Sequence, residues 1–431
     1  MIKRKNISYF LLLGVLSIGC SLNDPGPQDP LNGFTLQVQN NYSLNSLSWN
    51  PVKVTGFKEY IILQSSSDIP PSPEPVISAE TRVMKRIDDA DITTFLSSDI
   101  LFTPRVCYKI YAAVDDRFIQ SGSVCVNQDI KIFGGFNDRA NHAKGLDEML
   151  MYDRVNGHFS IFDYKTGTVT TKVSDIIFSF PVIELSTVSD VTNAFVYDQS
   201  PPRLQKYSFP GMEPQAFKDF FGVLFAVSIY DQFLFAAVEE TGKGFQVLRR
   251  SNMSNIDSEA GLFGNRAIGI FPGDPLIVIE AGDNGMNRYS IDANGKSTLL
   301  ESKTIGISQP SLQSMSANTS QYFITGRLGS IINRDGVIVA NLNNNQNEFV
   351  LMTRLADDEQ KVAFISNDNV SQKLTIADIS AIPVISKLLT FNLPSANYAD
   401  LIIDDGIIYV MGVSFATGNA ETFLLKFPMP E

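Results

Sequence analysis

A repeat of about 43 residues constrains the fold of this chain more than any other feature. Seven short apolar segments recur around residues 150, 195, 235, 277, 323, 363 and 408, at spacings of 40 to 46 residues. A polar turn and a second apolar segment follow each of them. Four antiparallel strands of about five residues, with their turns, need a repeat of this length. The sequence therefore predicts an all-β protein in which residues 129–431 form a β-propeller of about seven blades.

The two apolar segments of each repeat are predicted to be neighbouring strands. The first segments are Met149–Tyr152, Ala194–Tyr197, Leu234–Ala237, Leu276–Ile279, Tyr322–Thr325, Val362–Ile365 and Ile407–Val410. The second segments are His158–Phe162, Arg203–Phe209, Phe245–Leu248, Met286–Ile291, Ser330–Asn333, Lys373–Ala377 and Thr422–Phe427. We expect the first segments to line the central channel and, since they carry few charges, to fill it with apolar side chains. A two-sheet sandwich, or a shorter propeller with a helical insert, stays open as an alternative.

Smaller features refine this expectation. Lys131–Phe136 (KIFGGF) is predicted to supply the strand that closes the last blade. Tight turns that need a positive φ are expected at Asp163–Gly167, Asp292–Gly295 and Asp335–Gly336. The segment from Phe162 to Val169 resembles repeats of quinoprotein-like propellers. Leu374–Val384 resembles the LVIVD repeat, which occurs in propellers of bacterial surface proteins.

Residues 32–128 show strand alternation without a helical period, which predicts a small β-sandwich. Trp49 lies on the second expected strand, Tyr60 on the third, and the pattern Tyr108-x-Ile110-x-Ala112 on the sixth, after Pro104. These positions resemble a fibronectin type III domain, and the resemblance implies that Trp49 fills the centre of the sandwich. The Pro/Ser-rich insert Ser65–Pro75 departs from the compact spacing of that family.

Cys107 and Cys125 lie at equal distances from the polar turn Asp115–Arg117. Residues placed symmetrically about a hairpin turn face each other across the ladder, with Cα atoms about 5.5 Å apart. We therefore predict a structural disulfide between them. Because Tyr108 and Ile110 are expected to point inward, Cys107 should face outward.

The first 31 residues have the composition of a leader and a tether. Lys3, Arg4 and Lys5 precede an apolar run from Ile7 to Ile18, followed by Gly19 and Cys20. This pattern resembles a bacterial lipoprotein signal (residues 1–19) with lipidation of Cys20, although Ser17 replaces the usual Leu. Residues 20–31 contain three prolines and are predicted to be a tether. An unlipidated signal peptide and a single membrane helix are the alternatives.

Ser21, rather than Asp, follows Cys20. By resemblance to Gram-negative sorting rules, this favours the outer membrane, with the periplasmic or surface face left open. The expected location is therefore the cell envelope, with the membrane reached through the lipid anchor. The formal net charge of −12 predicts that the chain does not bind nucleic acid.

The sequence contains no G-x-S-x-G, H-E-x-x-H, Walker or EF-hand motif, and only two histidines. We therefore predict no catalytic residue, no metal site and no cofactor. His142, Lys144, Asp147 and Glu148 in residues 137–148 are compatible with an acid/base or metal cluster, but a solvated loop is the stronger interpretation. His158 is expected to be half-buried in a sheet, and adjacent acids such as Asp404 and Asp405 are expected to point apart.

Two functional hypotheses follow from these observations. The first is a non-enzymatic adhesion or scaffold protein that binds a protein or glycan through propeller loops. The second is a propeller-type hydrolase or lyase acting on an extracellular polymer, which three or more carboxylates converging on the channel would favour over the first. The apolar first segments favour the first hypothesis.

Overall fold

The computed structural model of the protein describes residues 33–430, except 98–99, 138, 144, 175–176, 180, 200, 305–306, 308–315, 344, 346, 369 and 416–417. The predicted signal, the tether, Cys20 and Lys144 lie outside the described residues. The described part is all β, with 36 strands. Among these residues, no helix has the length and apolar character needed to cross a bilayer.

Two sheets form an N-terminal β-sandwich. One sheet has the order β1 (Leu36–Asn41), β2 (Leu44–Trp49) and β5 (Thr94–Ser97). The other has the order β4 (Thr81–Ile87), β3 (Phe57–Ser65) and β6 (Arg105–Val114), and β6 also pairs with β7 (Arg117–Gln120) and β8 (Val124–Asn127). Trp49 and Tyr60 pack in a T-shaped contact, 5.4 Å between ring centroids, in the buried cluster between the sheets. The aromatic positions singled out in the sequence therefore fill the sandwich core.

The sandwich contains the disulfide between Cys107 and Cys125, whose Cα atoms are 4.0 Å apart. The two residues are partners in the ladder between β6 and β8. The expectation that Cys107 faces solvent is wrong, because its side chain is fully buried. The proline-rich insert covers this face of the sheet: Ile69 is buried against it, and Lys109 Nζ donates a hydrogen bond to Pro70 O (2.9 Å).

The described residues that follow the sandwich form seven four-stranded antiparallel sheets, each a blade of the propeller. A short strand, β9 (Lys131–Gly134), precedes them. Blade 1 contains β10 (Arg139–His142), β11 (Glu148–Asp153), β12 (His158–Asp163) and β13 (Thr168–Val173); blade 2 contains β14 (Val182–Val188), β15 (Val191–Gln199), β16 (Pro202–Ser208) and β17 (Pro214–Asp219). Blade 3 contains β18 (Leu224–Tyr230), β19 (Phe233–Val238), β20 (Phe245–Arg249) and β21 (Asn255–Glu259); blade 4 contains β22 (Arg266–Phe271), β23 (Leu276–Gly282), β24 (Gly285–Ile291) and β25 (Ser297–Lys303).

The last three blades complete the ring. Blade 5 contains β26 (Ala317–Asn318), β27 (Tyr322–Thr325), β28 (Ser330–Asn333) and β29 (Ile338–Asn341); blade 6 contains β30 (Phe349–Leu355), β31 (Lys361–Asn367), β32 (Gln372–Asp378) and β33 (Ser386–Leu393). Blade 7 contains β34 (Asn397–Asp404), β35 (Ile407–Ser414) and β36 (Glu421–Pro428), and β9 pairs with β36 as its fourth strand. The prediction that the segment beginning at Lys131 closes the last blade is confirmed.

The radial order of the strands corrects one expectation. The first strands of neighbouring blades contact each other, β10 with β14 and β34, β18 with β22, and β30 with β26 and β34. They therefore surround the axis. The apolar segments that we expected at the channel, such as Leu234–Ala237, form the second strands, which are buried between blades. The channel is lined instead by the first strands, which carry polar residues such as Asn141, Glu184 and Arg354.

The two ends of the propeller differ in the connections that they carry. The loops within each blade that join its first to its second strand, and its third to its fourth, lie at one end, the turn face. The loops joining second to third strands, and those joining one blade to the next, lie at the opposite end, the linker face. Gly295, on the turn face, has φ +85°, and a Cβ there would lie 2.7 Å from the ring of Phe233 in blade 3. This turn therefore requires glycine.

The sandwich packs against blades 6 and 7. Leu44 and Ile100 belong to the same buried cluster as Phe427, and the rings of Phe102 and Phe423 are 4.7 Å apart. The sandwich and the propeller thus share a hydrophobic core, which fixes their relative placement.

Candidate axial site

A cavity of about 450 Å³ opens at the turn face, where the first strands end around the axis. The described residues that line it come from blades 1, 2, 3, 5, 6 and 7. Its polar or charged lining residues include His142, Glu184, Ser186, Ser228, Asn318 and Arg354. No aromatic ring of Phe, Tyr or Trp is among the described lining residues. The cavity has the size of a small-molecule site.

Side chains of the first strands tie neighbouring blades together. Asn141 Oδ1 accepts a hydrogen bond from Leu185 N (2.9 Å), across the boundary between blades 1 and 2. Asn318 Oδ1 accepts one from Ile270 N (2.8 Å), across the boundary between blades 4 and 5. Each innermost strand has an edge without a partner strand, and these amides satisfy backbone groups on such edges. The polar residues on the axis therefore hold the ring together as well as lining the cavity.

Arg354 makes the corresponding contact between blades 6 and 7. Its Nε donates to Leu401 O (2.6 Å), and its Nη2 donates to Asp400 Oδ1 (2.9 Å). Asp400 is 2% exposed, and burial raises the pKa of its carboxyl although the Arg354 charge opposes the shift. The guanidinium is thus paired with a buried carboxylate behind the cavity wall.

Glu184, on β14, is the least exposed carboxyl group of the described lining. Burial raises the pKa of Glu184 to about 8, with Arg354 opposing and Asp400 reinforcing the shift. Within the described part of the chain, no hydrogen bond to its carboxyl group is formed. Asp357 and Glu359 line the mouth of the cavity on the loop after β30, and Glu359 accepts a hydrogen bond from Ser320 Oγ (2.9 Å). Three carboxyl groups are therefore among the described residues that line the cavity.

His142 is the last residue of β10 and lines the same cavity. Burial lowers the pKa of His142 to about 3, and the Arg354 charge adds to the shift. The imidazole is therefore neutral at pH 7. Its Nδ1 is buried and has no hydrogen-bond partner among the described residues.

The remaining members of the predicted 137–148 cluster lie apart from His142. Residues 139–142 form an innermost strand rather than the expected loop, because they pair with β11. Asp147 contacts Lys165 Nζ (2.9 Å), and Glu148 begins β11. His158 is half-buried at the start of β12, with its Nε2 3.9 Å from Asp153. The structure thus brings His142, but neither Asp147 nor Glu148, to the cavity lining.

Lys165 also corrects the expectation for adjacent acids. Its Nζ lies 2.8 Å from Asp404 and 3.4 Å from Asp405, so both side chains reach the same cation. Tyr164 OH donates a further hydrogen bond to Asp404 (3.1 Å). Lys165 belongs to blade 1 and the two acids to blade 7. This cluster, the Lys165 clasp, therefore joins the first and last blades at the turn face.

Glu184, Arg354 and Asp400 escaped sequence reasoning. Each lies on a first strand, directly before an apolar second strand. The sequence of these first strands shows no strong alternation of polar and apolar residues. Assigning the residues before each apolar segment of the repeat to an innermost, more polar strand would have located them.

Comparison with known proteins gives the same architecture. The structure of U3-55K is 7% identical, with a TM-score of 0.52, and the match covers 69% of this chain and 98% of that chain. The β-propeller domain of Cps50 (Swd1) from Myceliophteria thermophila is 12% identical, with a TM-score of 0.48, over 68% of this chain and 97% of that chain. A quinoprotein alcohol dehydrogenase-like protein from Bacteroides thetaiotaomicron is 11% identical, with a TM-score of 0.43, over 83% and 95% of the two chains. The chain folds as a β-propeller.

No protein-family model matches the chain, and no curated protein sequence matches it. At these identities the structural likeness concerns the fold alone. A propeller presents loops on a rigid scaffold, so the fold is suited in general terms to a protein-interaction or scaffold role.

Proposed function

We propose that the chain is a lipid-anchored cell-envelope protein that binds a protein or glycan partner through the linker face of its propeller, without enzymatic activity. The observation that carries this proposal is a set of exposed large apolar side chains on that face. Phe221 is 95% exposed and Val370 is 93% exposed. The other members are Val155, Ile177, Phe263 and Phe415.

These six side chains lie on six different loops contributed by blades 1, 2, 3, 6 and 7. Burial of apolar surface against a partner makes the free energy of binding more favourable by about 25 cal/mol per Å². Their distribution on a rigid ring offers several anchor points to one partner. The linker face therefore has the character of a binding surface.

The N-terminal features support the envelope location. The sequence around Cys20 resembles a lipoprotein signal, and the disulfide between Cys107 and Cys125 fits an oxidising compartment. Trp49, Tyr60 and Tyr108 lie on the second, third and sixth strands of a two-sheet sandwich. These positions support a fibronectin type III-like spacer, and the Leu374–Val384 segment supports kinship with LVIVD surface repeats.

A photo-crosslinking amino acid at position Phe221 tests the binding surface in the native cell. The matched control carries the same group at Phe217, an exposed phenylalanine on the outer strand of the same blade. We expect a discrete adduct from position 221 that is absent from position 217. Equal labelling from both positions, or from neither, contradicts the proposal.

Intact-protein mass spectrometry tests the anchor. A mature chain that begins at Cys20 and carries acyl groups is expected in the membrane fraction. An unmodified chain would contradict the anchor while leaving the crosslinking result valid.

A second candidate function, hydrolysis or elimination on an extracellular polymer, is favoured by the three carboxyl groups that line the axial cavity. Against it, Asp400, the other carboxyl group beside Glu184, is held by Arg354 and by Leu401 N (2.8 Å). Polysaccharide cleavage that disappears in Glu184→Gln would establish this second function. We expect no cleavage.

A further inference from the structure

We propose that the axial cavity binds a small organic cation of the amine or guanidine class, with its charged group against the carboxyl group of Glu184. This inference goes beyond the proposed function, because the cavity opens at the turn face and the proposed partner surface lies at the linker face.

The first support is that the carboxyl group of Glu184 has no hydrogen-bond partner among the described residues, whereas Arg354, Asn141 and Asn318 of the same lining do. Arg354, the cation nearest to it in the lining, donates to Asp400 and to Leu401 O. Asn141 and Asn318 are engaged by backbone groups of neighbouring blades. A carboxyl group that faces a cavity without a protein partner is available to a ligand, and a ligand N–H group would form a charge-assisted hydrogen bond with it.

The second support is the balance of charge in the lining. Glu184, Asp357 and Glu359 contribute acidic groups, whereas the single described cation of the lining, Arg354, is paired with Asp400. His142 is neutral at pH 7 because burial lowers its pKa to about 3. With Glu184 ionised, the potential in the cavity is negative, which attracts a cation and repels carboxylates and phosphates.

The third support is the shape and composition of the cavity. A volume of about 450 Å³ suits a small molecule rather than a polymer. Ser186, Ser228 and Asn318 place polar groups around the wall. The described lining offers no Phe, Tyr or Trp ring, the platform on which bases stack. A compact amine satisfies these conditions.

Binding of a cation is coupled to the proton on Glu184. Its pKa of about 8 means that the group is mostly protonated at pH 7, and burial, Arg354 and Asp400 set this value. Tyr197 also lies near Glu184, whose charge contributes to the raised pKa of this tyrosine. An ammonium group stabilises the ionised carboxylate, so binding releases a proton and strengthens as the pH rises toward 8.

Isothermal titration calorimetry of the full chain with 1,4-diaminobutane tests the proposal, with 1,4-butanediol as the uncharged probe of similar shape. Repeating each titration near neutral pH in two buffers of different ionisation enthalpy measures the proton release. We expect one diamine per chain, release of a proton, and no measurable binding of the diol. Equal binding of diamine and diol, or no binding of either, overturns the proposal.

Two variants locate the site. Glu184→Gln should weaken diamine binding by about 10- to 100-fold, the loss of one charge-assisted hydrogen bond. Its matched control, Glu213→Gln, makes the same substitution at an exposed turn of blade 2 on the same face, outside the cavity, and should bind like the wild type. If both variants weaken binding equally, the attraction is diffuse and the site is wrong.

A second variant, Ser228→Leu, tests binding in the cavity if Glu184→Gln does not fold. This substitution fills the cavity without changing any charge, so it should abolish diamine binding. Wild-type affinity in a folded Ser228→Leu protein would show that the diamine binds elsewhere.

Discussion

Ser43 and Lys426 exchange two hydrogen bonds between the sandwich and the propeller. Ser43 N donates to Lys426 O (3.0 Å), and Lys426 N donates to Ser43 Oγ (2.8 Å). The closing strand β9 pairs only with residues 421–424 of β36, so Lys426 lies on a part of that edge that β9 does not reach. The turn between β1 and β2 therefore takes up the hydrogen-bonding groups that the short closing strand leaves.

Ser43→Ala should destabilise the whole chain rather than the sandwich alone. The partly buried N–H of Lys426 would lose its acceptor, at a cost of about 1 kcal/mol. Urea unfolding monitored by Trp49 fluorescence, which reports on the sandwich, and by circular dichroism should show both transitions moving together. Ser302→Ala, on the exposed side of β25, is the control and should leave stability unchanged. Independent movement of the Trp49 transition alone would contradict this coupling.

The sequence predicted the repeat and most buried strands because those strands are short apolar runs. Leu234–Ala237 lies within β19, every residue of which is buried between blades, so its composition is uniform. The outermost strand β13 is exposed along its whole length and shows no alternation that a pattern could detect. This difference in environment explains why the predicted repeat length was correct, whereas the apolar segments were placed one strand too close to the propeller axis.

The candidate site was harder to predict for the same reason. The innermost strands border a water-accessible cavity and therefore carry polar residues such as Asn141 and Glu184. In the sequence, such segments are typical of loops or irregular strands. Only the pairing between blades shows that these residues meet at the axis. The disulfide was predictable because Cys107 and Cys125 lie on the two arms of one hairpin. The register at the turn, with Val114 opposite Arg117, would pair Cys107 with Val124, and a one-residue shift between β7 and β8 brings Cys125 opposite Cys107.

Lys165→Met should weaken the closure of the ring at neutral pH. The lysine contacts Asp147, Asp404 and Asp405, and its loss leaves three carboxylates close together. Burial would raise the pKa of Asp404, but hydrogen bonds from Lys165 and Tyr164 hold it below its ordinary value. A lowered carboxyl pKa stabilises the fold above about pH 4 and loses this contribution as the pH falls further.

Thermal unfolding of the wild type and Lys165→Met at neutral and acidic pH measures this effect. The midpoints should differ at pH 7 and converge below about pH 3 to 4, and added salt should reduce the difference. Lys172→Met removes an exposed lysine from the same blade and serves as the control. A difference that persists unchanged in acid would show that the lysine acts through packing instead.

Glu280→Ala should be among the most destabilising single changes in the propeller. Glu280 Oε1 lies 2.8 Å from Arg266 Nη1, and neither side chain is exposed to solvent. Removing the carboxylate leaves a buried guanidinium uncompensated, which costs about 3–5 kcal/mol. Replacing both residues with methionine removes both charges and should recover part of the loss, because Leu262 N, which donates to Glu280 (3.2 Å), would still lack that acceptor. Urea unfolding of the single and double variants measures this, and a double variant no more stable than Glu280→Ala would contradict it.

Glu184→Gln should remove a dependence of stability on pH. Because the folded-state pKa of Glu184 is about 8, well above its ordinary value, the native state binds a proton that the unfolded chain releases. Between about pH 4.5 and pH 8 this group therefore makes wild-type stability fall by about 1.4 kcal/mol for each pH unit.

The amide of the variant does not titrate, so the advantage of the variant over the wild type should grow as the pH rises through this window. Urea unfolding at about pH 5 and about pH 8, with Glu213→Gln as the control that makes the same substitution at an exposed site, measures the two slopes. Parallel profiles for wild type and Glu184→Gln would mean that the Glu184 carboxyl is ionised and solvated within the channel, and the burial argument for the axial cavity would fail with it.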